Sequence, residues 1–274
     1  MIETGIDLYK LPLQEKKDIL CSCIYGIDID IHAVEVAKFS LLIKLIEDET
    51  APSVSEVVPI LPDLGDNIQF GNSLVSQTEL NGISGANHQM MEIAPFDWST
   101  INNGCGFDVI IGNPPYVNTE GMHALLPSAE VEIYKKKYKT SHKQFDKYFI
   151  FIEQAINKIN ENGLVCYIVP NKFFKIGAGE KLRNLIAKER MLVSLDDFGD
   201  SQLFDKTIYS SIILLSKAKQ TSFVYSSVDS ANKLWAGEEV SSIELNSSVL
   251  NKLPWRLTTD FEFLTMLQKL DEVS

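Results

Sequence analysis

The stretch that most limits what this chain can fold into is Phe107-Asp108-Val109-Ile110-Ile111-Gly112-Asn113-Pro114-Pro115-Tyr116-Val117. Its first five residues are mostly apolar and rich in β-branched side chains, the pattern of a short strand buried on both faces. Gly112 closes the run, and the two prolines take the chain out of the sheet. Pro115 biases Pro114 toward an extended conformation, and neither proline has a backbone N–H. The turn therefore offers acceptors, the side-chain oxygen of Asn113 and the carbonyl of Pro114, with the flat ring of Tyr116 beside them.

Such a turn suits the chemistry of an exocyclic amine on a planar base. That amine is a poor nucleophile because its lone pair is delocalised into the ring. Two acceptors, each taking one N–H, favour a pyramidal nitrogen and aim its lone pair at an electrophile. Stacking of the base on an aromatic ring is worth about 1–3 kcal/mol. The same four residues equally suit a plain strand-to-loop turn, since Asn and Pro are ordinary turn formers.

Around this turn the chain resembles the adenine-specific N6 DNA methyltransferases that carry an Asn-Pro-Pro-Tyr motif, in particular the methylase part of large type II restriction–modification enzymes. The resemblance runs from about Ile19 to Leu215 and takes in Phe96-Asp97-Trp98 and Val169-Pro170-Asn171-Lys172-Phe173. It implies an α/β, Rossmann-like fold that depends on S-adenosylmethionine, with a mostly parallel sheet. It also implies an enzyme that extrudes an adenine from double-stranded DNA and methylates it, within a restriction–modification or phage-defence system. In that reading Asn113, Pro114, Pro115 and Tyr116 form the catalytic turn, and Tyr116 and Phe204 stack on the base from its two sides. Similar turns occur in enzymes that methylate protein glutamine or RNA guanine. The motif therefore names an amine acceptor more securely than it names adenine.

With 274 residues there is enough chain for one α/β domain with a real core and an appendage. No apolar run reaches the about 18 residues of a membrane span, and the N-terminus lacks the layout of a signal peptide. Cys21, Cys23, Cys105 and Cys166 are scattered, which favours reduced thiols in a cytoplasm over a disulfide framework. The histidines are far apart in sequence and suggest no metal site. Twenty-five basic against 37 acidic residues leave a net charge of −12. That is awkward for a DNA-binding protein, whose affinity rests largely on cations meeting phosphates. Either the basic surface is local or the gripping part lies outside this sequence, and the second is favoured.

Taken in order, Cys23 to Asp30 reads as a strand ending in acids. Ile31 to Asp48 reads as a helix with Asp30 as N-cap and with Ala33, Val34, Ala37, Leu41, Ile43 and Leu45 on a broad apolar face. A strand that delivers an acid at its tip before a helix is half of a nucleotide-binding unit. The plain alternative is that both aspartates cap the helix and face water. The resemblance places the ribose of S-adenosylmethionine on Asp28 and its adenine ring against Ile29. Asn67 to Phe70 is a further strand, after which Asn72 stands where the family usually has an aspartate; its amide oxygen can still accept from the cofactor's amino group, although an Asn after a Gly is more often just a turn residue. Residues 75–106 read as a polar surface excursion.

Lys135, Lys136, Lys137, Lys139, Lys143 and Lys147 form the densest basic patch, suited either to phosphates or to a solvated helix end. Gln144 to Asn160 is an amphipathic helix with Gly163 as its expected stop, and Asp146 and Tyr148 match a weaker motif of the resembling family. Strands are expected over Leu164–Val169, Leu192–Asp196 and Ile208–Leu215, with a helix over Glu180–Glu189. Phe204, at a strand entrance, also suits simple core packing. From Ser216 the composition turns Ser-rich, with Trp255-Arg256 ahead of a terminal helix over Asp260–Leu270. The expected division is a partial methyltransferase core over residues 1–215, then a linker and the start of a target-recognition region over 216–274. Residues 1–22 hold only Gly5 and no glycine-rich turn for the methionine end of the cofactor. The chain is thus expected to lack the first strand of that fold, to need an upstream segment or specificity subunit as partner, and to be inactive alone. A non-catalytic DNA-binding module is the alternative.

Overall fold

The computed structural model describes residues 2–5, 8–47, 49–50, 58–81, 83, 86–202 and 209–260, and the chain divides into two compact units, Met1–Cys105 and Gly106–Ser274. In the first, β1 (Ile2–Gly5) and β2 (Leu8–Lys10) pair antiparallel. Then come α1 (Leu13–Cys23), β3 (Gly26–Asp28), α2 (Ile31–Ile46) and β4 (Ile68–Phe70). Strands β3 and β4 are parallel, with Gly26 opposite Ile68 and Asp28 opposite Phe70.

Asn67 fixes where β3 begins. Its buried amide donates to the carbonyls of Cys21 (2.8 Å) and Ile24 (2.9 Å) at the end of α1, while its own carbonyl accepts from Gly26. Helix α2 starts as its sequence predicts, Asp30 accepting from the His32 N–H at 2.8 Å. Its buried stripe is narrower than the apolar pattern implies. Val34 and Leu45 join Leu13, Leu20, Leu64 and Ile68 in the core, whereas Phe39 and Ile43 are exposed. The two strands described here are too narrow a platform to cover a broad helical face.

Residues 75–106 are not a surface excursion. This stretch forms short helices α3 (Gln77–Leu80), opened by a Ser76–Glu79 capping box, and α4 (Met90–Ile93), and within it Val75, Leu80, Ile83, Ile93, Phe96 and Ile101 are buried. These apolar residues are irregularly spaced, so no helical or strand period betrays them. The Phe96-Asp97-Trp98 stretch braces the turn after β4. A Cβ on Gly71 would come within 2.9 Å of the Phe96 ring, and the Trp98 indole N–H donates to the Ser73 carbonyl at 3.2 Å.

The second unit opens with β5 (Phe107–Gly112), α5 (Thr119–Leu125), α6 (Ser128–Lys137), α7 (Lys147–Lys158), β6 (Ile159–Pro170) and α8 (Glu180–Glu189). It continues with β7 (Leu192–Gln202), β8 (Tyr209–Ser216), β9 (Ser222–Ser227), α9 (Ala231–Trp235) and β10 (Ser241–Asn246). Among the described residues the strands form a six-stranded sheet in the order β10-β9-β7-β8-β6-β5. The sheet is mixed: β5–β6 and β7–β9 are parallel, while β6–β8, β7–β8 and β9–β10 are antiparallel. Strands β9 and β10 carry this same sheet beyond residue 215.

Three local expectations change. Strand β5 is not buried on both faces: it forms the edge of the described sheet, and Val109 and Ile111 are 55% and 75% exposed. The helix ends at Lys158, and Gly163 lies within β6 rather than capping it. The register steps from Phe107↔Ile159 to Val109↔Leu164, and a Cβ on Gly163 would come within 2.8 Å of the Phe107 carbonyl. Only glycine allows that approach. Strand β7 runs to Gln202, longer than predicted. Phe204 and the predicted helix beyond Asp260 lie outside the described residues.

Behind the exit of β6, buried Arg183 donates to the carbonyls of Phe173 (2.5 Å), Ile176 (2.8 Å) and Lys252 (3.1 Å). Trp255 stacks on Phe174 with centroids 6.0 Å apart. These contacts fix the segment that leaves the sheet after Pro170. No helix among the described residues is long and apolar enough to cross a membrane.

Candidate active site

In the first unit the tip of β3 is tied to the turn after β4 by the Asp28 carbonyl, which accepts from the Gly71 N–H at 2.8 Å. The sequence puts Asp30 at the cap and leaves open whether Asp28 does more than help cap the helix; the structure separates the two. Asp30 caps the helix, while Asp28 is exposed and accepts from the Asp30 N–H through Oδ1 at 2.8 Å. Ile29 beside it is 47% exposed. Asn72 differs: it is 4% exposed, and its Oδ1 accepts from the Leu74 N–H at 3.1 Å. Its backbone N–H donates to Ala94, and Asn72 bridges Pro95. The carboxamide thus holds the Gly71–Leu74 turn in shape.

In the second unit, β5 delivers the Asn113 turn. Gly112 is paired with Tyr167, after which Asn113 is exposed, Pro114 buried and Tyr116 half-buried. The Tyr116 hydroxyl lies 2.5 Å from Asn113 Oδ1 and 3.0 Å from the Ile168 carbonyl. The Tyr116 ring meets Tyr148 of α7 edge-on, centroids 6.2 Å apart, and the Tyr148 hydroxyl donates to the Pro170 carbonyl at 3.2 Å. Two tyrosines, one from the turn and one from α7, therefore grip the exit of β6.

The residues just after the turn are stitched to the start of α7. The Lys147 N–H donates to Val117 at 2.8 Å, Asn118 bridges Asp146, and Thr119 Oγ1 donates to Phe145 at 2.8 Å. Asn118 also caps α5 through the Gly121 N–H. Asp146 is 3% exposed and accepts from Lys172 Nζ at 3.0 Å. The sequence marks Asp146, Tyr148 and the Val169–Phe173 stretch as motifs, but not that they meet. The Ile168 carbonyl, a backbone acceptor, leaves no sequence signal at all.

Chemically, the turn presents a carboxamide and an aromatic ring held from below by hydrogen bonds, with no paired acids or bases. Burial pushes the Tyr116 phenol up to about 12 and the Tyr148 phenol well above its ordinary value. Both hydroxyls thus remain protonated donors at any physiological pH.

An exposed acid at the tip of a parallel βα unit, and an Asn-Pro-Pro-Tyr turn at the end of a strand in a larger α/β sheet, define the methyltransferase class. The chain belongs to the Eco57I restriction-modification methylase family, whose model matches residues 22–204. It is 41% identical over 254 residues to the type II restriction enzyme and methyltransferase RM.Eco57I of Escherichia coli, a match covering 89% of this chain and 24% of that protein. It is 27% identical over 184 residues to the type II methyltransferase M.XhoI of Xanthomonas vasicola, covering 61% of this chain and 33% of that one. The chain thus spans 24% and 33% of the length of these relatives. Its fold matches a chain of the DrdV–DNA complex solved by cryo-electron microscopy, with a TM-score of 0.61 at 14% identity, over 92% of this chain and 26% of that one.

The raised Tyr116 value has a direct optical test. An exposed tyrosine ionises near about pH 10. The difference in phenolate absorbance between the wild-type chain and Tyr116→Phe should show no step between about pH 9 and about pH 11. A step near the ordinary value would mean that the phenol is not held as described.

Proposed function

We propose that this chain carries the catalytic core of a DNA methyltransferase that modifies the N6 amino group of adenine, within a restriction–modification system and in the cytoplasm. The observation that carries this reading is the exposed Asn113 carboxamide braced against Tyr116 at the end of β5. The phenol has one hydrogen and two oxygens near it. A half-turn of the Asn113 amide satisfies both: Nδ2 donates to the phenol oxygen, and the phenol donates to Ile168. Asn113 Oδ1 is then left to face a substrate amine.

In this reading Asn113 Oδ1 and the Pro114 carbonyl accept the two N–H groups of the target amine, Pro115 keeps the turn extended, and Tyr116 and Phe204 stack on the extruded base. Extruding the base costs a few kcal/mol. With no acid–base pair at the turn, the rate gain comes from orientation of the reacting groups. The methyl donor would be S-adenosylmethionine, which supplies an electrophilic methyl group when bound. Asp28 and Ile29 fit its ribose hydroxyls and adenine ring, since both reach solvent at one strand tip. Asn72 fits it less well, because its oxygen already accepts from the Leu74 N–H. Residues 1–215 would carry the chemistry, and residues 216–274, which add β9 and β10 to the same sheet, would lead into target recognition.

The partner is double-stranded DNA, and the basic loop after α6 is its best-prepared contact. Residues 133–145 hold five lysines and no acid. Buried Glu153 accepts from the Lys139 and Thr140 N–H groups (3.1 and 2.8 Å) and from the Thr140 hydroxyl (2.8 Å), fixing the loop from beneath. The Lys147–Val117 hydrogen bond links the end of this stretch to the Asn113 turn.

Asn113→Ala in the complete protein should abolish methyl transfer to DNA while leaving cofactor binding nearly intact; transfer at the normal rate would remove the assigned role. Lys137, Lys139 and Lys143 replaced together by Gln should flatten the dependence of log affinity on log salt by about 0.9 for each phosphate that is no longer neutralised. An unchanged slope would take the loop out of the DNA interface. This chain by itself is expected to bind S-adenosylmethionine poorly and to be inactive. No glycine-rich turn accompanies Asp28, and the outer edge of β5 has no partner among the described strands. Micromolar binding by the isolated chain in a calorimetric titration would overturn that.

A further inference from the structure

We propose that the Lys172–Asp146 ion pair is a positioning device for the Asn113–Tyr116 turn, a role that rests on the methyltransferase reading above. Asp146 occupies the N-cap position of α7, where an aspartate ordinarily accepts a helix N–H through its side chain. Here it does not cap the helix. Its carboxylate instead accepts from Lys172 Nζ at 3.0 Å, although Asp146 is almost wholly buried and Lys172 is half-exposed.

The pair closes a ring of contacts around the turn. Tyr116 reaches the exit of β6 through the Ile168 carbonyl. Val117, Asn118 and Thr119 reach the start of α7 through Lys147, Asp146 and Phe145. The start of α7 returns to the exit of β6 twice, by the Tyr148 hydroxyl on Pro170 and by Asp146 on Lys172. Three segments thus hold one another, and the Lys172–Asp146 contact is the one link made by opposite charges. Without it Asp146 keeps its backbone bridge to Asn118, but its carboxylate is left without its cation. It must then draw in water or turn to the helix N–H groups, and either response moves the strip of backbone under Val117–Thr119. Asn113 and Tyr116 lie immediately upstream. A displacement of about 1 Å at reacting groups can cost about 100-fold in rate.

Lys172 and Asp146 are therefore positioning residues, and their removal should appear in the turnover number. In the complete protein, Lys172→Met and Asp146→Asn should each lower kcat for DNA methylation by about 10- to 100-fold. KM for DNA and the Kd for S-adenosylmethionine should stay within about threefold, Lys172→Arg should restore most of the rate, and the double variant should be no slower than either single one. Thermal unfolding of each variant reports whether the fold survives; if Lys172→Met does not fold, Asp146→Asn and Lys172→Arg carry the test. A slow Lys172→Met beside normal turnover in Asp146→Asn would assign Lys172 to the substrate and overturn the proposal. So would unchanged kcat in both, or additive effects in the double variant. A wild-type protein that transfers no methyl group to DNA removes the functional reading and this inference with it, whereas an active wild type with unaffected variants removes this inference alone.

Discussion

The Asn113 turn depends on a mismatch in length between two paired strands. Strand β5 stops pairing at Gly112, opposite Tyr167, while β6 continues to Pro170 and remains paired with β8 on its far side. The carbonyls of Ile168 and Pro170 are two residues apart, so they point the same way along a pleated strand. A carbonyl left unsatisfied in a protein interior costs about 1–3 kcal/mol. Here the hydroxyls of Tyr116 and Tyr148 supply the missing donors. The overhang of β6 thereby becomes a docking edge for the turn that leaves β5. Asn113, Pro114 and Tyr116 do not have to find their arrangement in a free loop.

A net charge of −12 does not forbid a DNA partner, because surface charges act over short distances. At physiological ionic strength the screening length is about 8 Å, so the field felt by a phosphate is set by the few groups nearest it. The lysine-rich stretch around residues 135–143 is held by a carboxylate, Glu153, that lies underneath it and spends its oxygens on backbone and hydroxyl donors. That acid fixes the loop without pairing with its lysine side chains. At the surface Lys136 pairs with Glu132 and Lys143 with Glu180. Exposed pairs of this kind are worth little and exchange readily for a phosphate.

What could be read from the residues alone was the local chemistry of strand ends. The acid at the tip of β3, the Asp30 cap, the limits of α8 and the strand before Asn113 all follow from neighbouring residues, and each is found where the sequence puts it. Features that depend on distant partners were not legible. The exposure of Val109 and Ile111 reflects which strands flank β5, and a run of β-branched residues looks the same at an edge as at a centre. Gly163 resembled a helix stop because glycines often end helices; the demand on it comes from Ile159 close by and from the Phe107 carbonyl, more than fifty residues away. Residues 75–106 looked polar because Ser, Asn and Gly recur along them, while the buried members, such as Leu80, Ile93 and Phe96, follow no regular spacing. Asn72 could be matched to a family position or taken as a plain turn residue after Gly71, and its oxygen is used within the turn by the Leu74 N–H.

The first turn of α7 shows why charged groups persist in a corner that apolar ones could fill. Asp146 and Lys147 are adjacent in sequence and reach opposite neighbours: Asp146 pairs with Lys172 at the exit of β6, and Lys147 lies 3.7 Å from buried Glu130 of α6 and 5.5 Å over the Tyr134 ring. Burial lowers the Lys147 pKa, and the Glu130 carboxylate counters it. Taking such groups out of water offsets most of their mutual attraction, so apolar replacements of matching shape are often neutral or better for stability. Stability alone therefore gives little reason for two ion pairs in one helical turn. Direction does: a hydrogen-bonded charge pair fixes both distance and angle, whereas an apolar contact fixes neither. The backbone between these two side chains is the strip to which Val117 and Asn118 are bound. Its position sets where the residues just upstream, Asn113 to Tyr116, can stand.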